Sequence, residues 1–441
     1  MIKINDNNYD GQVCSRQEVV DLLHIANKSI RQICEEDESL LIYPSNVDDT
    51  NDRIGDSHII DIYAEDDKSV RLKSGNILGF VGIGKQQLKI YSRFDEENHN
   101  YFMHYMLQKV FAYNIFNLDF YSSDESVFDI LMFMFPALLK DAMKNGVYKD
   151  YQRYQHNDSN VRGTIDVERH IRENIPFRGT IAYNTRDFSY DNSVMELIRH
   201  TIEYIRTTPL GETILSLDEV TEGYVKDVVS YTPLYRPFDR IKIIRDNTCP
   251  RVHPFFIEYV ALQKLCVQIL RQEDIKYGDD DNNRINGILF DGAWLWEEYL
   301  NVLLQNLGFR HPENKLGIGA IYLFEQGGQR YPDFWKEDIV LDAKYKRLAQ
   351  NGNRLDVDRN DIHQVMAYMY RLKASKGGII CPFIGARNKV ISEKMHRDSY
   401  KGTLSLYTLA VPSGCESYSE FVGKMHKNEL DFIQAIVESV N

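Results

Sequence analysis

Residues 331–346 read YPDFWKEDIVLDAKYK, and this pattern predicts an antiparallel pair of strands. The apolar run that begins at Ile339 predicts a strand over Ile339–Lys344, whose side chains point alternately to opposite faces. Tyr331–Trp335 predicts the preceding strand, and the polar residues 336–338 predict the turn between the two. The order of polar and apolar residues therefore indicates a hairpin in the C-terminal third of the chain.

Three charged side chains come together in this predicted hairpin. If Glu337-Asp338 form a two-residue loop, Asp333 lies directly opposite Asp342, and opposite side chains on one face are about 5 Å apart. Lys344 shares the face of Asp342 because the side-chain period of a strand is two. Two carboxylates at this separation repel each other unless a cation lies between them. Oxygen ligands suit Mg²⁺ or Mn²⁺, and a neighbouring lysine can neutralise charge on a phosphate or position a water.

The arrangement resembles the PD-(D/E)xK motif of nucleases, with Asp333, Asp342 and Lys344 in the three named places. The resemblance implies that all three residues are catalytic and that Asp333 and Asp342 hold the metal ion. The alternative is a charged hairpin on the protein surface, because the triplet Asp-x-Lys often arises by chance. The elements that surround the hairpin bear on this choice.

The predicted order of elements is that of a PD-(D/E)xK core. Asp291 can cap a helix that runs to Leu307, and a first strand is predicted at Ile318–Phe324, before the hairpin. A second helix is predicted at Asp361–Ala374, and a last strand at Gly378–Pro382. The predicted fold class is therefore mixed α/β, with a C-terminal restriction-endonuclease-like αβββαβ core that follows an N-terminal α+β region.

Two further polar side chains belong to the predicted site. Glu297 lies in an apolar stripe of the first helix with Leu300 and Leu304, where an unpaired carboxylate would be costly. Orientation toward the metal site would resolve that cost, and a salt bridge to a lysine is the alternative. On the second helix, Gln364 and Tyr368 are four residues apart and resemble the Q-x-x-x-Y motif of RecB-like nucleases, whose glutamine faces the metal site.

The composition is typical of a soluble globular protein, with 43% hydrophobic and 27% charged residues among 441. The six cysteines are scattered without a C-x-x-C pair, so reduced thiols without zinc or an iron–sulfur cluster are predicted. No apolar run is long enough to cross a membrane and the N-terminus is no signal peptide, so we expect a cytoplasmic protein. The net charge of −13 argues against non-specific coating of nucleic acid, although a local cleft is compatible with it.

The glycine-rich stretch at residues 79–84 does not predict a nucleotide site. Residues 77–94 predict two strands joined by a Gly-rich turn. The sequence GIGK at 82–85 lacks both the G-x-x-x-x-G-K-[ST] spacing and the helix start of a phosphate-binding loop. We therefore expect that this chain binds no nucleotide itself.

The whole chain resembles the McrC family, the nuclease subunits of McrBC-type restriction systems. The matching pieces are GFVGIG and LKIYSRF within 79–94, VRGTID at 161–166, the helix start Asp191-Asn192, LWEEYL at 295–300, PD and DAKYK within 332–346, and HQVMAY at 363–368. They occur in the order of the family and span about residues 78 to 385. The nuclease motifs are shared by many enzymes, so the R-G-x-I-D pattern upstream of them is the more discriminating piece.

This resemblance implies a Mg²⁺-dependent endonuclease of anti-phage defence that a GTP-hydrolysing partner activates. The partner would be a McrB-like AAA+ GTPase hexamer that recognises and translocates double-stranded DNA. Residues 1–254 would dock on this hexamer and residues 255–441 would form the endonuclease domain. The acidic, Asn-rich stretch 279–284 predicts an exposed boundary, after which residues 285–441 would keep their fold alone.

Two other functions are compatible with the sequence. A stand-alone RecB-like exonuclease would use the same nuclease motifs, but such enzymes often carry four cysteines for an iron–sulfur cluster, and that set is missing here. An adaptor that stimulates a GTPase partner, with a weak or vestigial nuclease site, is the second. The intact Asp333, Asp342 and Lys344 argue against a vestigial site.

Overall fold

The chain forms two compact units that differ from the predicted domains. The computed structural model describes residues 1–36, 40–44, 54–84, 86–95, 99–111, 126–208, 210–250, 253–277, 285–312, 319–348, 357–396 and 401–440. The first unit combines residues 1–130 with 280–441, and the second consists of residues 131–279. These units do not follow the predicted division between residues 254 and 255, because the N-terminal and C-terminal segments belong to one unit. The proposed linker at 279–284 lies outside the described residues.

The N-terminal part of the first unit is rich in strands. Its elements are β1 (Ile2–Asn5), β2 (Gln12–Ser15), α1 (Ile30–Glu36), β3 (Leu41–Tyr43), β4 (Ile60–Ala64), β5 (Ser69–Ser74), β6 (Ile77–Ile83), β7 (Gln86–Tyr91) and α2 (Tyr101–Val110), with 3₁₀ helices at Arg16–Val19, Asp21–His24 and Ile54–Asp56. Strands β6 and β7 form an antiparallel hairpin, so the predicted pair of strands in the glycine-rich stretch is confirmed. Strands β2, β5 and β4 form a separate three-stranded antiparallel sheet.

The second unit is mainly helical, with one small sheet. In chain order the elements are α3 (Ser126–Met143), β8 (Asp150–Asp158), β9 (Thr164–Ile165), α4 (Val167–Asn174), β10 (Ile181–Ser189), α5 (Ser193–Arg206), α6 (Gly211–Leu215), α7 (Glu219–Tyr231), α8 (Arg240–Asp246) and α9 (Glu258–Tyr277), with 3₁₀ helices at Pro237–Asp239 and Pro254–Phe256. Strand β10 pairs with β8 and β9 in an antiparallel sheet. The Asn192 side chain accepts hydrogen bonds from two backbone amides of the first turn of α5, which confirms the predicted helix start.

The R-G-x-I-D pattern has a local structural explanation in the second unit. A Cβ atom at Gly163 would lie 2.1 Å from the carbonyl oxygen of Asn184, so only glycine permits this approach of the chain to β10. Asp166 is the N-cap of α4, where its side chain accepts a hydrogen bond from the backbone amide of Arg169 at 3.2 Å. The motif therefore fixes a strand-to-helix turn.

The C-terminal part of the first unit alternates strands and helices. Its elements are β11 (Ile285–Asp291), α10 (Gly292–Leu304), β12 (Ile321–Tyr322), β13 (Gln329–Arg330), β14 (Phe334–Lys336), β15 (Ile339–Ala343), α11 (Arg359–Leu372), β16 (Lys376–Ile384), β17 (Val390–Lys394), β18 (Thr403–Val411) and α12 (Tyr418–Val440), with a 3₁₀ helix at Gln305–Leu307. Within the described ranges, none of the helices has both the length and the apolar content needed to cross a membrane.

One sheet joins the two sequence segments of the first unit. Its strand order is β1-β7-β6-β11-β3, and β11 pairs antiparallel with β6 and parallel with β3. Gly79 lies so close to β11 that a Cβ atom would be 2.2 Å from the carbonyl oxygen of Ile288. Because β11 lies between two strands of the N-terminal segment, residues 285–441 do not form the independent fold that the sequence suggested.

A second five-stranded sheet carries the residues of the predicted nuclease motif. Its order is β14-β15-β16-β18-β17, with β15, β16 and β18 parallel. The buried parallel strands are nearly continuous apolar runs, as expected for a sheet that is covered on both faces. Strands β12 and β13 form a separate two-stranded sheet, so the predicted three-strand meander is reduced to the β14–β15 hairpin. The mixed α/β class is confirmed.

Acid should destabilise the first unit through His104 on α2. This imidazole is fully buried, and burial together with the charge of Lys89 lowers its pKa from 6.5 to about 4. The group therefore contributes stability that is fully present above pH 6.5 and is lost as the pH falls toward 4. We expect His104 to remove about 2 kcal/mol of unfolding free energy between pH 7 and pH 5. Urea denaturation of the wild type and of His104→Leu at both pH values measures this loss.

The exposed His24 supplies the control for this experiment. We expect His24→Gln to show the pH dependence of the wild type and His104→Leu to show a smaller one. If all three proteins lost the same unfolding free energy between pH 7 and pH 5, the neutral buried state of His104 would be contradicted.

Candidate active site

The hairpin of β14 and β15 has the predicted register. Phe334 pairs with Leu341, and Lys336 pairs with Ile339, so Glu337-Asp338 form the two-residue loop. Glu337 adopts a φ of +47°, as the turn of such a short loop requires. One position beyond the last paired residues, the hairpin brings Asp333 opposite Asp342. The backbone amide of Ala343 donates a hydrogen bond of 2.6 Å to Oδ2 of Asp333, which holds the two strands together at this point.

Asp333 and Asp342 are both buried, with exposed fractions of 8% and 0%. Oδ2 of Asp342 forms an ion pair with Nζ of Lys344 at 2.7 Å, so the predicted common face of these two side chains is confirmed. Oδ1 of Asp342 accepts no hydrogen bond from the described residues. A buried carboxylate oxygen without a donor is costly, and a cation is one ligand that would relieve this cost.

The electrostatics of the three groups depend on each other. Burial raises the pKa of Asp333, and the charge of Asp342 raises it further. Burial likewise raises the pKa of Asp342, although the ammonium of Lys344 opposes this effect. Burial alone would lower the pKa of Lys344, but the charges of Asp342 and Asp333 outweigh it and raise that pKa. Lys344 is therefore a cation at neutral pH, suited to stabilise negative charge rather than to accept a proton.

Helix α11 packs against β15 and β16 and carries Gln364. The Gln364 Nε2 donates a hydrogen bond of 2.7 Å to the hydroxyl of Tyr368, so the two residues of the Q-x-x-x-Y pattern contact each other. Burial raises the pKa of Tyr368 to about 12, and the charges of Asp342 and Asp333 act in the same direction. Tyr368 therefore lies within electrostatic reach of the acidic pair, with Gln364 half-buried beside it.

Glu297 on α10 and Lys344 line the same cleft, whose volume is about 1210 Å³. Asp291 caps α10 as predicted, and its Oδ1 accepts a hydrogen bond of 2.8 Å from the amide of Ala293. Glu297 is half-buried, whereas its position in an apolar stripe suggested a fully buried side chain. Among the described residues, no three His, Cys, Asp or Glu side chains are grouped to hold a metal ion, so Glu297 does not join the acidic pair in such a group.

His311 and Asp361 flank the acidic pair and were not singled out by the sequence. Nδ1 of His311 lies 2.7 Å from the carbonyl oxygen of Asp333, and its ring stacks on Phe334 at 4.8 Å. Asp361 is buried, forms an ion pair of 2.8 Å with Lys346, and its charge contributes to the raised pKa of Asp342. No motif marks His311, because the loop that contains it is adjacent to the hairpin only in the folded chain.

The Arg93 cluster, which consists of the buried Asp6, Arg93 and Tyr345 and the half-buried Asn76, holds the chain that follows Lys344. Nε of Arg93 donates a hydrogen bond of 2.9 Å to the carboxylate of Asp6, and its guanidinium also donates to Oδ1 of Asn76. The guanidinium carbon lies 4.8 Å from the centre of the Tyr345 ring, and the hydroxyl of Tyr345 is 2.7 Å from Oγ of Ser92. The residue after Lys344 is thus fixed by the N-terminal segment.

The same cluster positions the helix that carries Glu297. The carbonyl oxygen of Asn76 accepts a hydrogen bond of 3.0 Å from the amide of Gly292, the first residue of α10. A Cβ atom at Gly292 would lie 2.9 Å from the Tyr345 ring, so the helix start packs directly on this aromatic side chain. The Arg93 cluster therefore sets the relative position of Lys344 and Glu297. Three of its residues, Asp6, Asn76 and Arg93, follow β1, β5 and β7, far in sequence from the nuclease motif.

Arg93→Met should reduce the stability of the protein strongly. The substitution leaves the carboxylate of Asp6 buried without its partner, and loss of one partner of a buried ion pair costs about 3–5 kcal/mol. Urea denaturation measures the change. As a control, Arg71→Met breaks the more exposed ion pair with Glu65 and should cost less than about 1 kcal/mol. Similar losses in the two variants would contradict this role of Arg93.

Comparison with known proteins identifies the family. The sequence model of the family described as "McrBC 5-methylcytosine restriction system component" matches residues 72–382, which is more than half of the chain. No curated protein matches the sequence. Two solved structures from Thermococcus gammatolerans are similar in part to this chain. One is the refined half-complex of McrB AAA+ hexamers with bound McrC, at 14% identity, a TM-score of 0.48 and coverage of 99% of both chains. The other is the cryo-EM McrBC complex, at 13% identity, a TM-score of 0.32 and coverage of 71% of this chain and 89% of that one.

The extent of the family match decides the assignment. It begins within β5 and ends within β16, and it contains the R-G-x-I-D turn, the start of α5, α10, the β14–β15 hairpin and α11. These are the segments on which the sequence resemblance was based. The chain belongs to the family of McrBC 5-methylcytosine restriction system components.

Proposed function

We propose that this chain is the DNA-cleaving subunit of a McrBC-type restriction system and hydrolyses phosphodiester bonds in double-stranded DNA. The observation that carries the proposal is the buried pair of Asp333 and Asp342 beside the ammonium of Lys344, at 2.7 Å from Asp342. These three groups belong to the PD-(D/E)xK pattern on a mixed sheet with helices. A surface hairpin would leave the two carboxylates in solvent, and they are buried here.

The acidic pair fits a Mg²⁺ or Mn²⁺ ion. Its carboxylates are hard oxygen ligands, their pKa values are raised by burial, and Oδ1 of Asp342 accepts no hydrogen bond from the described residues. Asp333 and Asp342 would hold the ion, with Glu297 and Gln364 at the margin of the site. Such an ion supplies Lewis-acid stabilisation of charge on the phosphate.

The side chains of the chain itself have separate tasks in the proposed reaction. Lys344 keeps its proton on Nζ and stabilises the negative charge that develops on the attacked phosphate. The backbone amide of Ala343 holds the carboxylate of Asp333 in place, and His311 contacts the backbone carbonyl of the same residue. Gln364 is positioned by Tyr368 and can orient a water or a phosphate oxygen at the edge of the site.

The proposal includes a McrB-like AAA+ GTPase hexamer as activating partner, which follows from membership in the McrBC family. Strands β6 and β7 pair as an antiparallel hairpin where a phosphate-binding loop would lead from a strand into a helix. GTP hydrolysis would therefore be the task of the partner, and the cytoplasm is where such a system would meet its DNA.

Asp342→Ala should abolish DNA cleavage by the complex. Loss of a metal ligand in the reacting site should lower the rate by about three orders of magnitude or more. Cleavage of plasmid DNA with Mg²⁺, the full chain, the GTPase partner and GTP measures this effect. The same samples should show unchanged partner binding and GTP hydrolysis, because Asp342 lies in the nuclease site.

Glu337→Gln is the matched control, since this exposed carboxylate lies in the loop of the same hairpin. We expect it to cleave at the wild-type rate. Cleavage by Asp342→Ala near that rate would refute the proposed site. A wild-type protein that stimulates GTP hydrolysis without any cleavage would instead support the adaptor alternative.

Asp333→Asn should stabilise the protein when no divalent ion is present. The pKa of Asp333 is raised in the folded state, so its ionisation opposes folding, and stability is lost as the pH rises through the folded pKa. Asparagine removes this charge and keeps an oxygen for the amide of Ala343. Thermal denaturation in EDTA at pH 8 should give a higher Tm for the variant than for the wild type.

Addition of Mg²⁺ or Mn²⁺ should reverse this order, because an ion that binds only the folded state stabilises it. We expect the wild-type Tm to rise with the ion concentration and the Tm of Asp333→Asn to change little. An equal response of both proteins would show that the ion binds elsewhere.

A further inference from the structure

The cleft that contains Lys344 and Glu297 has a second wall from the N-terminus of the chain. Residues 3–10 line it without interruption, together with Ala343–Arg347 of the nuclease motif. Its volume of about 1210 Å³ exceeds that of an ordinary small-molecule pocket, which is about 300–1000 Å³. The space beside the candidate site is therefore large enough for a polymeric ligand, and one side of it belongs to β1 and the turn after β1.

The cleft follows the edge of β1. Four consecutive residues, Lys3–Asp6, line it, whereas one face of a strand would present every second residue. Strand β1 is the outermost strand of its sheet in the described part of the chain, where it pairs in parallel with β7. Its free edge thus presents backbone groups as well as side chains to the cleft.

The turn after β1 is held firmly by the sheet behind it. The amide of Asn7 donates a hydrogen bond of 2.7 Å to the carbonyl oxygen of Gly75, and the amide of Asn8 donates one of 3.2 Å to Oγ of Ser74. Oδ1 of Asn8 accepts a hydrogen bond of 3.1 Å from the amide of Gly11. Because these bonds use the backbone and the oxygen of Asn8, its amide nitrogen is left as a donor.

Three side chains of this wall carry donors that the described residues do not satisfy. Nζ of Lys3 forms no ion pair or hydrogen bond with the described part of the chain, and neither do the side-chain nitrogens of Asn7 and Asn8. All three residues line the cleft and are partly buried. Donors that converge on one space predict a ligand rich in hydrogen-bond acceptors.

The charge of the cleft differs from that of the chain. Five lysines and arginines line it against three acidic residues, although the net charge of the whole chain is −13. Three of the five cations are in ion pairs, Arg93 with Asp6, Lys344 with Asp342 and Lys346 with Asp361. Lys3 adds a cation outside these pairs to the wall, and a cation beside the candidate site fits a phosphate of a nucleic acid backbone.

We propose that β1 and the turn through Asp10 form the second wall of the DNA-binding cleft and contact backbone phosphates of the strand that enters the candidate site. Lys3 supplies charge, and Asn7 and Asn8 donate hydrogen bonds to phosphate oxygens. Such contacts position DNA without reading its sequence. This inference rests on the proposed nuclease function and adds to it a substrate-binding role for the first ten residues.

An extended protein segment that pairs with the free edge of β1 is the other ligand that this geometry would accept. The observations favour DNA, because the unsatisfied side chains are donors and because the cleft continues to Lys344. A peptide strand would use the backbone edge and has no need of Lys3 or of the amide of Asn8.

Charge substitutions at the wall test the inference. Lys3→Glu and Asn8→Asp should weaken binding of duplex DNA by the full chain with its GTPase partner, measured by fluorescence anisotropy in EDTA. Asn8→Asp keeps the oxygen that caps Gly11, so it adds charge without disturbing the turn. For Lys3→Glu we expect several-fold weaker binding and a salt slope that is smaller by about one. Unchanged Tm values would show that both variants are folded.

Lys68→Glu is the matched control, because it makes the same change of charge at an exposed residue between β4 and β5 that does not line the cleft. We expect it to bind DNA as the wild type does. If Lys3→Glu and Asn8→Asp also bind as tightly as Lys68→Glu, the wall does not contact DNA and the inference is wrong.

Photocrosslinking separates the two possible ligands. Tyr9 lines the cleft and is 76% exposed, so p-benzoylphenylalanine can replace it without loss of packing. Irradiation of the complex with labelled duplex should join position 9 to DNA, and the same group at the exposed Tyr63 of β4 should give no such product. A crosslink from position 9 to the partner protein alone would overturn the inference in favour of a peptide strand.

Failure of the inference about residues 3–10 can be distinguished from failure of the proposed nuclease function. Crosslinking and binding are measured in the Asp342→Ala variant, so they do not require cleavage. A wild-type protein that cleaves DNA but shows no effect at the wall disproves only the role of residues 3–10. A wild-type protein that neither binds nor cleaves DNA disproves the nuclease proposal itself.

Discussion

The buried ion pair between Arg93 and Asp6 is the contact on which the geometry of the candidate site depends. It joins the end of β1 to the turn after β7, and Arg93 then stacks on Tyr345, the residue that follows Lys344. Removal of two charges from water is unfavourable, and burial raises the pKa of Asp6 in spite of Arg93. The hydrogen bonds to Asn76 and the packing of Tyr345 offset this cost. These contacts connect the N-terminal sheet to the segment that directly follows β15.

The fold buries two carboxyl groups, those of Asp333 and Asp342, close to each other, which is an unfavourable arrangement of charge. Asp333 and Asp342 are brought together by the shortest type of hairpin loop, and the parallel strands β16 and β18 keep β15 buried. Burial raises the pKa of both carboxyl groups and the charge of Asp342 raises that of Asp333 further, while the ammonium of Lys344 opposes the shift of both only in part. In the proposed function, the charge arrangement that lowers the stability of the protein alone would favour binding of a divalent ion.

The division of the chain into units follows from the position of β11. This strand completes the sheet of the N-terminal segment, and α10 begins directly at its end, so the helix of Glu297 is anchored in that sheet. The segment 131–279, which separates these two parts in sequence, forms a unit of its own. Its R-G-x-I-D turn depends on contacts within that unit, which explains why a short motif is recognisable there. In the proposed system, the first unit contains both the catalytic residues and the residues 3–10 that contact DNA. The rest of the N-terminal half would then dock on the GTPase partner.

Local rules were enough to predict the parts of this protein that depend on neighbouring residues. The hairpin register of Asp333 and Asp342, the cap at Asp291, the helix of Gln364 and Tyr368, and the pair of strands around the glycines of β6 all follow from side-chain period, turn length and capping. The family resemblance drew on the same segments.

Contacts between distant segments were decided only by the tertiary structure. The pairing of β11 with β3 and β6 joins the N-terminal and C-terminal segments in one unit. Strands β12 and β13 form a sheet of their own, so the predicted three-strand meander is reduced to two strands. The Arg93 cluster, His311 and the cleft wall at residues 3–10 join residues that are tens to hundreds of positions apart. A sequence pattern records the period of one element, whereas strand order and buried ion pairs depend on which apolar faces pack together, and that choice is made by the whole chain at once.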